Sequence, residues 1–391
     1  MTLRNGWDRA VLATGLQAAG ADGWLLFDFR GVNPVAGRVL GIGGMGTRRL
    51  FVYLPKEGEP VAVVHRIELQ PLRDFPGRVV PYARWEELHA ALRDLVAGRT
   101  VAMEVSRDDA VPYLDRVPHG VVELIEALGG TVVSSGSLVT HFAARWSDEE
   151  RTGHLRAAEA LAGIARRSLA RASRAGGTGL TEAALQAEIV QQIHAAGLVF
   201  DHPPIVAFGA HTADPHYGPS PDTLLERDQV VLLDLWGGPA LGSVFADQTW
   251  MGFSGPQPPD EVRLVWSVVR EAREAAIARV QDAVTARQTI RGYEVDRAAR
   301  GVIEAAGYGD YFVHRTGHSI DRDLHGSGPH CDDYETRDDR EMVPGVGFSV
   351  EPGIYLSGRF GIRSEVNMFW GPDGAVVTPK ERQEELTTID D

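Results

Sequence analysis

Val230-Val231-Leu232-Leu233-Asp234 is an apolar run that ends in a carboxylate, and the chain turns through Gly237-Gly238-Pro239 into a second strand-like segment carrying Asp247. Such a hairpin sets two carboxylates side by side on neighbouring strands. Phe348-Ser349-Val350-Glu351-Pro352-Gly353 and Gly361-Ile362-Arg363-Ser364-Glu365-Val366 repeat the device with glutamates. Asp234 to Glu351 is 117 positions and Asp247 to Glu365 is 118, so the pairs recur in register. A single acid on a strand is ordinarily a solvated charge. Four acids on apolar strands are electrostatically unfavourable together, and a bound cation resolves the conflict. With Gly317-His318-Ser319 adding an imidazole, Asp234, Asp247, His318, Glu351 and Glu365 read as a two-metal site. Hard oxygen donors plus one histidine suit Mn²⁺, with Co²⁺, Fe²⁺ and Zn²⁺ as alternatives.

The duplication covers whole half-domains. Each half has a long Ala-rich helical stretch and a turn leading to Thr181-Glu182 or Tyr293-Glu294. A second helix then closes on Ala195-Ala196-Gly197 or Ala305-Ala306-Gly307, and two carboxylate-bearing strands follow. Two such halves predict a pseudo-two-fold site at their seam. Helices are expected near 148–174, 181–196, 259–284 and 293–306, and strands around 229–235, 243–250, 346–351 and 361–369. Ser147-Asp148-Glu149-Glu150 is a capping box that opens the first helix, which puts a boundary near Arg145-Trp146. Before it, strand candidates at 23–27, 50–54, 60–64 and 101–105 alternate with helices at 86–96 and 120–128, the pattern of an α/β domain. The expected domains are 1–146 and 147–391. Gly41-Ile42-Gly43-Gly44-Met45-Gly46 is not a dinucleotide fingerprint, because a strand follows the glycines where a helix is needed; it reads as a surface loop.

At 391 residues, 43% hydrophobic and 24% charged, the chain is an ordinary globular one with room for two cores. A formal net charge of −15 argues against nucleic acid and anionic membrane as partners. Cys331 is the only cysteine, so neither an intrachain disulfide nor a thiolate zinc site can form; it reads as a bystander thiol. Met1–Asp8 lacks the apolar core of a signal peptide, and a cytoplasmic location is expected.

The order Asp234, Asp247, His318, Glu351, Glu365, with Val350-Glu351-Pro352-Gly353-Ile354-Tyr355, His314-Arg315-Thr316-Gly317-His318 and Ile362-Arg363-Ser364-Glu365, resembles the pita-bread metallopeptidases. These are the Xaa-Pro dipeptidases (prolidases), Xaa-Pro aminopeptidases and methionine aminopeptidases. The likeness covers residues 147–391, and the first domain looks like the creatinase-type N-terminal domain of the proline-specific members, with Asp28-Phe29-Arg30-Gly31 and Asn33-Pro34 at its Asn-containing loop. The resemblance implies an α/β creatinase-like N-terminal domain followed by an α+β pita-bread domain with internal pseudo-two-fold duplication. It implies that Asp234 chelates one metal, Asp247 bridges to the other, His318 completes one shell, and Glu351 and Glu365 complete the pair, Glu351 also carrying a proton. It further implies His216 as a substrate-side histidine, His325 as the group that steadies the scissile carbonyl, His314 in the substrate pocket, and Arg363 as support behind the ligands.

There are departures from the family pattern. The Asp234–Asp247 hairpin is about two residues longer than usual, Asp247-Gln248-Thr249-Trp250 replaces Asp-x-Thr-Arg, and Gly326-Ser327-Gly328-Pro329-His330-Cys331-Asp332-Asp333 follows His325 instead of His-Glu-x-Pro. The expected activity is hydrolysis of small peptides with proline at the second position, foremost as an Xaa-Pro dipeptidase and alternatively as an Xaa-Pro aminopeptidase, by a homodimer. A non-catalytic pita-bread binding module would have lost ligands, and here the set is complete. Arg337, Arg340 and Arg359 flank the ligand segments and are either a clamp for a substrate carboxylate or only a balance for the neighbouring Asp332, Asp333, Glu335, Asp338 and Asp339.

Overall fold

The computed structural model describes residues 8–42 and 46–389. The start of the chain up to residue 7 and Gly43, Gly44 and Met45 of the glycine loop therefore lie outside the described residues. The chain divides into two compact units, Met1–Arg145 and Trp146–Asp391.

In the first unit the strands are β1 (Gly23–Asp28), β2 (Leu50–Pro55), β3 (Val61–His65), β4 (Arg78–Tyr82), β5 (Thr100–Met103) and β6 (Thr131–Ser134). They form one mixed sheet in the order β4-β3-β2-β1-β5-β6. The period-2 alternation of β1 sends Trp24 and Leu26 to one face and Leu25 and Phe27 to the other, so the sheet is buried on both sides. Helices α1 (Arg9–Ala19), α2 (Pro34–Leu40) and α5 (Gly136–Phe142) cover the first face, and α3 (Trp85–Val96) and α4 (His119–Ala127) the second. Asn33-Pro34, expected in a loop, instead starts α2. The Asn33 side chain accepts from the backbone N–H groups of Val35 and Ala36, and Pro34 occupies the first turn, where its missing N–H costs nothing.

The second unit opens with α6 (Asp148–Ser173), capped by the reciprocal bonds of Ser147 and Glu150 that the sequence predicts. Next come α7 (Glu182–Ala195), β7 (Ile205–Phe208), β8 (Val230–Gly237), β9 (Ala246–Phe253), α8 (Asp260–Ala286) and α9 (Gly292–Ala305). The remaining strands are β10 (Ser319–Ile320), β11 (Gly347–Val350), β12 (Gly353–Leu356), β13 (Phe360–Arg363), β14 (Val366–Gly371) and β15 (Gly374–Thr378). One sheet runs β7-β8-β9, a second β10-β11-β14-β15, and β12 pairs with β13. Val231, Leu233 and Leu235 of β8 pack under α6 and α7, while Val230 and Leu232 face the core built with α8 and α9. The strand is therefore apolar on both faces, which is why it reads as an unbroken hydrophobic run.

Helices α7 and α9 are the same length and both end in Ala-Ala-Gly, with Gly197 and Gly307 at φ of 71° and 84°. The register of the duplication differs from the expectation at the helix starts. Glu182 opens α7, but Gly292, two residues before Glu294, opens α9, so Glu182 corresponds to Gly292. A Cβ at Gly292 would lie 1.8 Å from the carbonyl oxygen of His330, so a side chain there is excluded by backbone. The strand expected over 361–369 is likewise two elements, β13 and β14, with Glu365 in the break between them.

His154 of α6 is fully buried, its Nδ1–H donating to the Phe245 carbonyl at 3.0 Å and its Nε2 accepting from Thr378 Oγ1 at 2.8 Å. Both nitrogens are satisfied by the neutral ring, and desolvation holds its pKa at about 4 against 6.5. The unfolded chain therefore takes up this proton first as the pH falls. The associated stability is complete above about pH 6.5 and is lost toward pH 4, by roughly 3 kcal/mol at most. Denaturant unfolding at pH 7.5 and 4.5 measures it: the pH-dependent loss should shrink in His154→Gln by about that amount.

Candidate metal centre

Asp234 and Asp247 belong to the β8–β9 hairpin, where Asp234 stands opposite Thr249 and Asp247 opposite Trp236. The two acids are thus diagonal neighbours on one face. Glu351 and Glu365 lie at the end of the β11–β14 ladder, whose last pair is Val350 with Val366. The Glu365 N–H donates to the Thr249 carbonyl at 3.3 Å and the Glu351 N–H to the Thr316 carbonyl at 2.7 Å, which ties the second pair to β9 and to the His318 segment. Gly317 is required before His318, since a Cβ there would meet the Ser349 carbonyl oxygen at 2.0 Å.

All five residues line one cavity of about 720 Å³. Ligand atoms of Asp247, His318 and Glu365 lie within 4.8 Å of one another, close enough for a single ion between them. His318 Nε2 is 3.5 Å from Asp247 Oδ2 and 3.4 Å from Glu351 Oε1. Its Nδ1–H donates to the Ser319 carbonyl, which leaves the Nε2 lone pair for the cavity. Asp234 Oδ1 and Glu365 Oε1 are buried without a hydrogen-bond partner among the described residues. A buried carboxylate oxygen without a donor is costly, and a divalent cation satisfies it. Burial, with the mutual repulsion of the acids, raises the pKa values of Asp234, Asp247 and Glu365. Burial also pushes on Glu351, but His318, His314, Arg363 and Arg315 outweigh it and hold Glu351 below the usual carboxylate range. The donor set therefore fits divalent cations.

The supporting groups are mostly side chains that the sequence reading did not single out. Arg363 was expected there, and its NH2 donates to Asp234 Oδ2 at 2.5 Å and its Nε to Thr249 Oγ1 at 2.8 Å. Thr249 Oγ1 in turn donates to Glu365 Oε2 at 2.8 Å. Asn367 Oδ1 accepts from the Asp247 N–H at 2.9 Å, and Ser349 Oγ donates to Glu351 Oε1 at 2.9 Å. Thr249 and Ser349 each stand two residues from a carboxylate, so the strand period alone placed them on its face. Nothing in the sequence marked Asn367, whose contact spans the two halves.

His216 and His325 both line the cavity. The His325 ring sits 4.3 Å from that of His318, edge to face. His318, then desolvation and Arg315, hold its pKa well below the ordinary imidazole value, so it is neutral. His314 does not reach the cavity wall: its Nδ1–H donates to the Arg315 carbonyl and its Nε2 accepts from Tyr355 Oη, each at 2.7 Å. The expected arginine clamp is corrected by the structure, because none of its three members lines the cavity. Arg340 is buried on Asp338 and the carbonyls of Ser327 and Gly328, Arg337 lies over Tyr293, and Arg359 pairs with Glu261. Arg340 is thus spent on the loop that carries it, Arg337 on a ring of α9 and Arg359 on an acid of α8. Cys331 is fully buried, and desolvation, with nearby acids, raises its pKa far above the thiol range, so it stays an inert thiol.

Residues 153–369 match the model of metallopeptidase family M24. The chain is 33% identical over 334 residues to the probable dipeptidase PepE of Mycobacterium tuberculosis, covering 84% of this chain and 83% of that one. It is also 33% identical over 193 residues to an Xaa-Pro dipeptidase of Lactobacillus helveticus, 48% of each chain. The crystal structure of dipeptidase PepE from Mycobacterium ulcerans superposes with a TM-score of 0.74 at 27% identity, covering 97% of this chain and 96% of that one. The protein belongs to metallopeptidase family M24 and is a hydrolase of the pita-bread fold, with the two-part architecture read from its sequence.

Thr249 joins Glu365 to Arg363 and so to Asp234. Thr249→Val removes the hydroxyl at nearly constant volume and should weaken divalent-metal binding by about 10- to 100-fold with the fold retained, the usual cost of losing a group behind metal ligands. Titration of the chelator-stripped protein with Mn²⁺ checks it.

Proposed function

We propose that the protein cleaves Xaa-Pro peptide bonds as an Xaa-Pro dipeptidase, and that Asp234, Asp247, His318, Glu351 and Glu365 would hold two divalent cations for the reaction. The observation that carries this reading is the convergence of all five groups on one cavity with buried, unpartnered oxygens on Asp234 and Glu365. The names of the mycobacterial and lactobacillar relatives support dipeptide length and proline, respectively. Mn²⁺ suits the hard donor set. On the same reading, residues 1–146 are a creatinase-like N-terminal domain, 147–391 the catalytic domain, and the active form a cytoplasmic homodimer, which light scattering measures.

When bound, divalent cations held by these residues would supply Lewis acidity and a lowered pKa for a water in the site. Glu351, held ionised by its cationic and imidazole neighbours, takes that proton and returns it to the leaving nitrogen. Neutral His325 donates an N–H to the reacting carbonyl oxygen, a bond that strengthens as charge develops there. Arg363 fixes Asp234, and His216 faces the substrate from the segment after β7. An Xaa-Pro bond has no amide N–H to offer, so recognition falls on the carbonyl and the ring. Ile205, Trp236, Phe245 and Leu324 give the cavity apolar wall for that ring.

Chelation should abolish hydrolysis and Mn²⁺ or Co²⁺ restore it, while Asp247→Ala loses activity by orders of magnitude and stays folded; full activity in a verified metal-free sample would refute the metal mechanism. His325→Ala should lower kcat by roughly 10²-fold with metal content unchanged, and loss of metal in that variant would instead make His325 a ligand. A panel of Ala-Pro, Ala-Pro-Ala, Ala-Leu and Met-Ala tests substrate choice. Ala-Pro should give the highest kcat/KM, and a better rate on Ala-Pro-Ala would mark an aminopeptidase.

A further inference from the structure

The described residues lining the cavity include two arginines, and their donors are committed differently. Arg363 is 3% exposed and fully engaged: Nε bonds Thr249, NH2 bonds Asp234, and NH1 donates to the Pro215 carbonyl at 3.4 Å. Arg322 makes one side-chain bond, from Nε to Glu150 Oε1 at 2.7 Å, so its NH1 and NH2 have no partner among the described residues. That bond leaves the end-on fork of the guanidinium open, the geometry that takes a carboxylate with two parallel N–H donors.

Both the side chain and the backbone of Arg322 are held. Glu150 is fixed by the α6 capping box, its Oε2 accepting from the Ser147 N–H at 2.8 Å. Asp321, 2% exposed, accepts from the backbone N–H groups of Asp323 at 2.9 Å and Ser327 at 2.7 Å, which knits the loop under Arg322. The same loop carries His325 three residues on. The other charged side chains of the wall, Arg363 and the histidines aside, are carboxylates, among them Asp201, 2.8 Å from Trp236 Nε1. A zwitterionic dipeptide in such a cavity places its ammonium among the acids and its carboxylate at the open cation.

We propose that Arg322 is a specificity-determining residue that reads the free α-carboxylate on the leaving side of the scissile bond. This rests on the peptidase reading of the same cavity. It makes the chain a dipeptidase through a residue four positions after His318, not through the arginines of the loop near 337–340.

The test compares kcat/KM on Ala-Pro and on its neutral C-terminal amide, Ala-Pro-NH2, for the Mn²⁺-loaded wild type, Arg322→Ala and Arg322→Lys, with metal content and thermal unfolding measured for each. Arg322→Ala should lose about 30-fold on the acid, the size of one charge-assisted contact at a part-exposed site, and change less than about 3-fold on the amide. Arg322→Lys should recover part of the loss on the acid only, because it restores charge without the fork. Equal losses on acid and amide, or an acid rate within about 2-fold of wild type in Arg322→Ala, overturn the proposal. If the wild type cleaves Ala-Leu but neither proline peptide, the Xaa-Pro reading falls, and the same comparison on Ala-Leu and Ala-Leu-NH2 decides Arg322.

Discussion

Four carboxylates converge on one desolvated cavity, and like charges held out of water repel unless something of opposite sign stands among them. Much of the second unit can be understood as the means of holding that unfavourable arrangement in place. Arg363 bonds Asp234, Thr249 links Arg363 to Glu365, and Ser349 donates to Glu351. These neutral and cationic donors satisfy one oxygen each of Asp234, Glu365 and Glu351 and, among the described residues, leave Asp234 Oδ1 and Glu365 Oε1 bare. The division is chemically useful, because the bonded oxygen fixes the carboxylate while the bare one is left to a cation. Position is thereby set by the protein before any ion arrives, which is the preorganisation that metal-assisted hydrolysis needs.

The scaffold that delivers these groups is rigid for reasons visible in its packing. Strand β8 is buried on both faces, between α6 and α7 on one side and the core of α8 and α9 on the other, so Asp234 sits on a strand with no room to shift. Backbone approaches with no space for a side chain, at Gly317 against Ser349 and at Gly292 against His330, lock the His318 segment and α9 to their neighbours. A misplacement of an ångström at a catalytic group is expensive in rate, and these are the contacts that prevent it. By contrast the proposed substrate-side groups, His216, His325 and Arg322, lie on irregular segments, the usual division between a packed frame and adaptable loops.

Local sequence resolved the helices and their caps well, and the strands less well. The capping box at Ser147 and Glu150 and the Ala-Ala-Gly closures are signals of a few residues, and each produced the element it predicts. The break at Glu365 between β13 and β14 was not legible, because a strand's end is set by which neighbour remains to pair with it. The family resemblance alone placed Asn33-Pro34 in a loop, whereas Asn before Pro is also the start signal of a helix. In the site, the candidate ligands stand out because duplication repeated them in order. Thr249 and Ser349 could have been found from the strand period, and Asn367 could not.

Fold class, two-part organisation and the candidate ligand set were legible along one chain because they depend on periodicity, spacing and motif order, and the family followed from the resemblance that the motifs carry. Tertiary structure decided which charges face the cavity. Arg337, Arg340 and Arg359 are near the ligands in sequence yet turn to Tyr293, Asp338 and Glu261, and His314 spends both nitrogens inside the fold. Arg322, unremarked in the sequence, lines the cavity with NH1 and NH2 unspent among the described residues. A long charged side chain takes whichever partner the folded chain brings within reach, and that partner sits 172 positions away for Arg322 and 129 for Arg363. Separations of that size are closed by packing of the whole domain, so no local pattern could assign them.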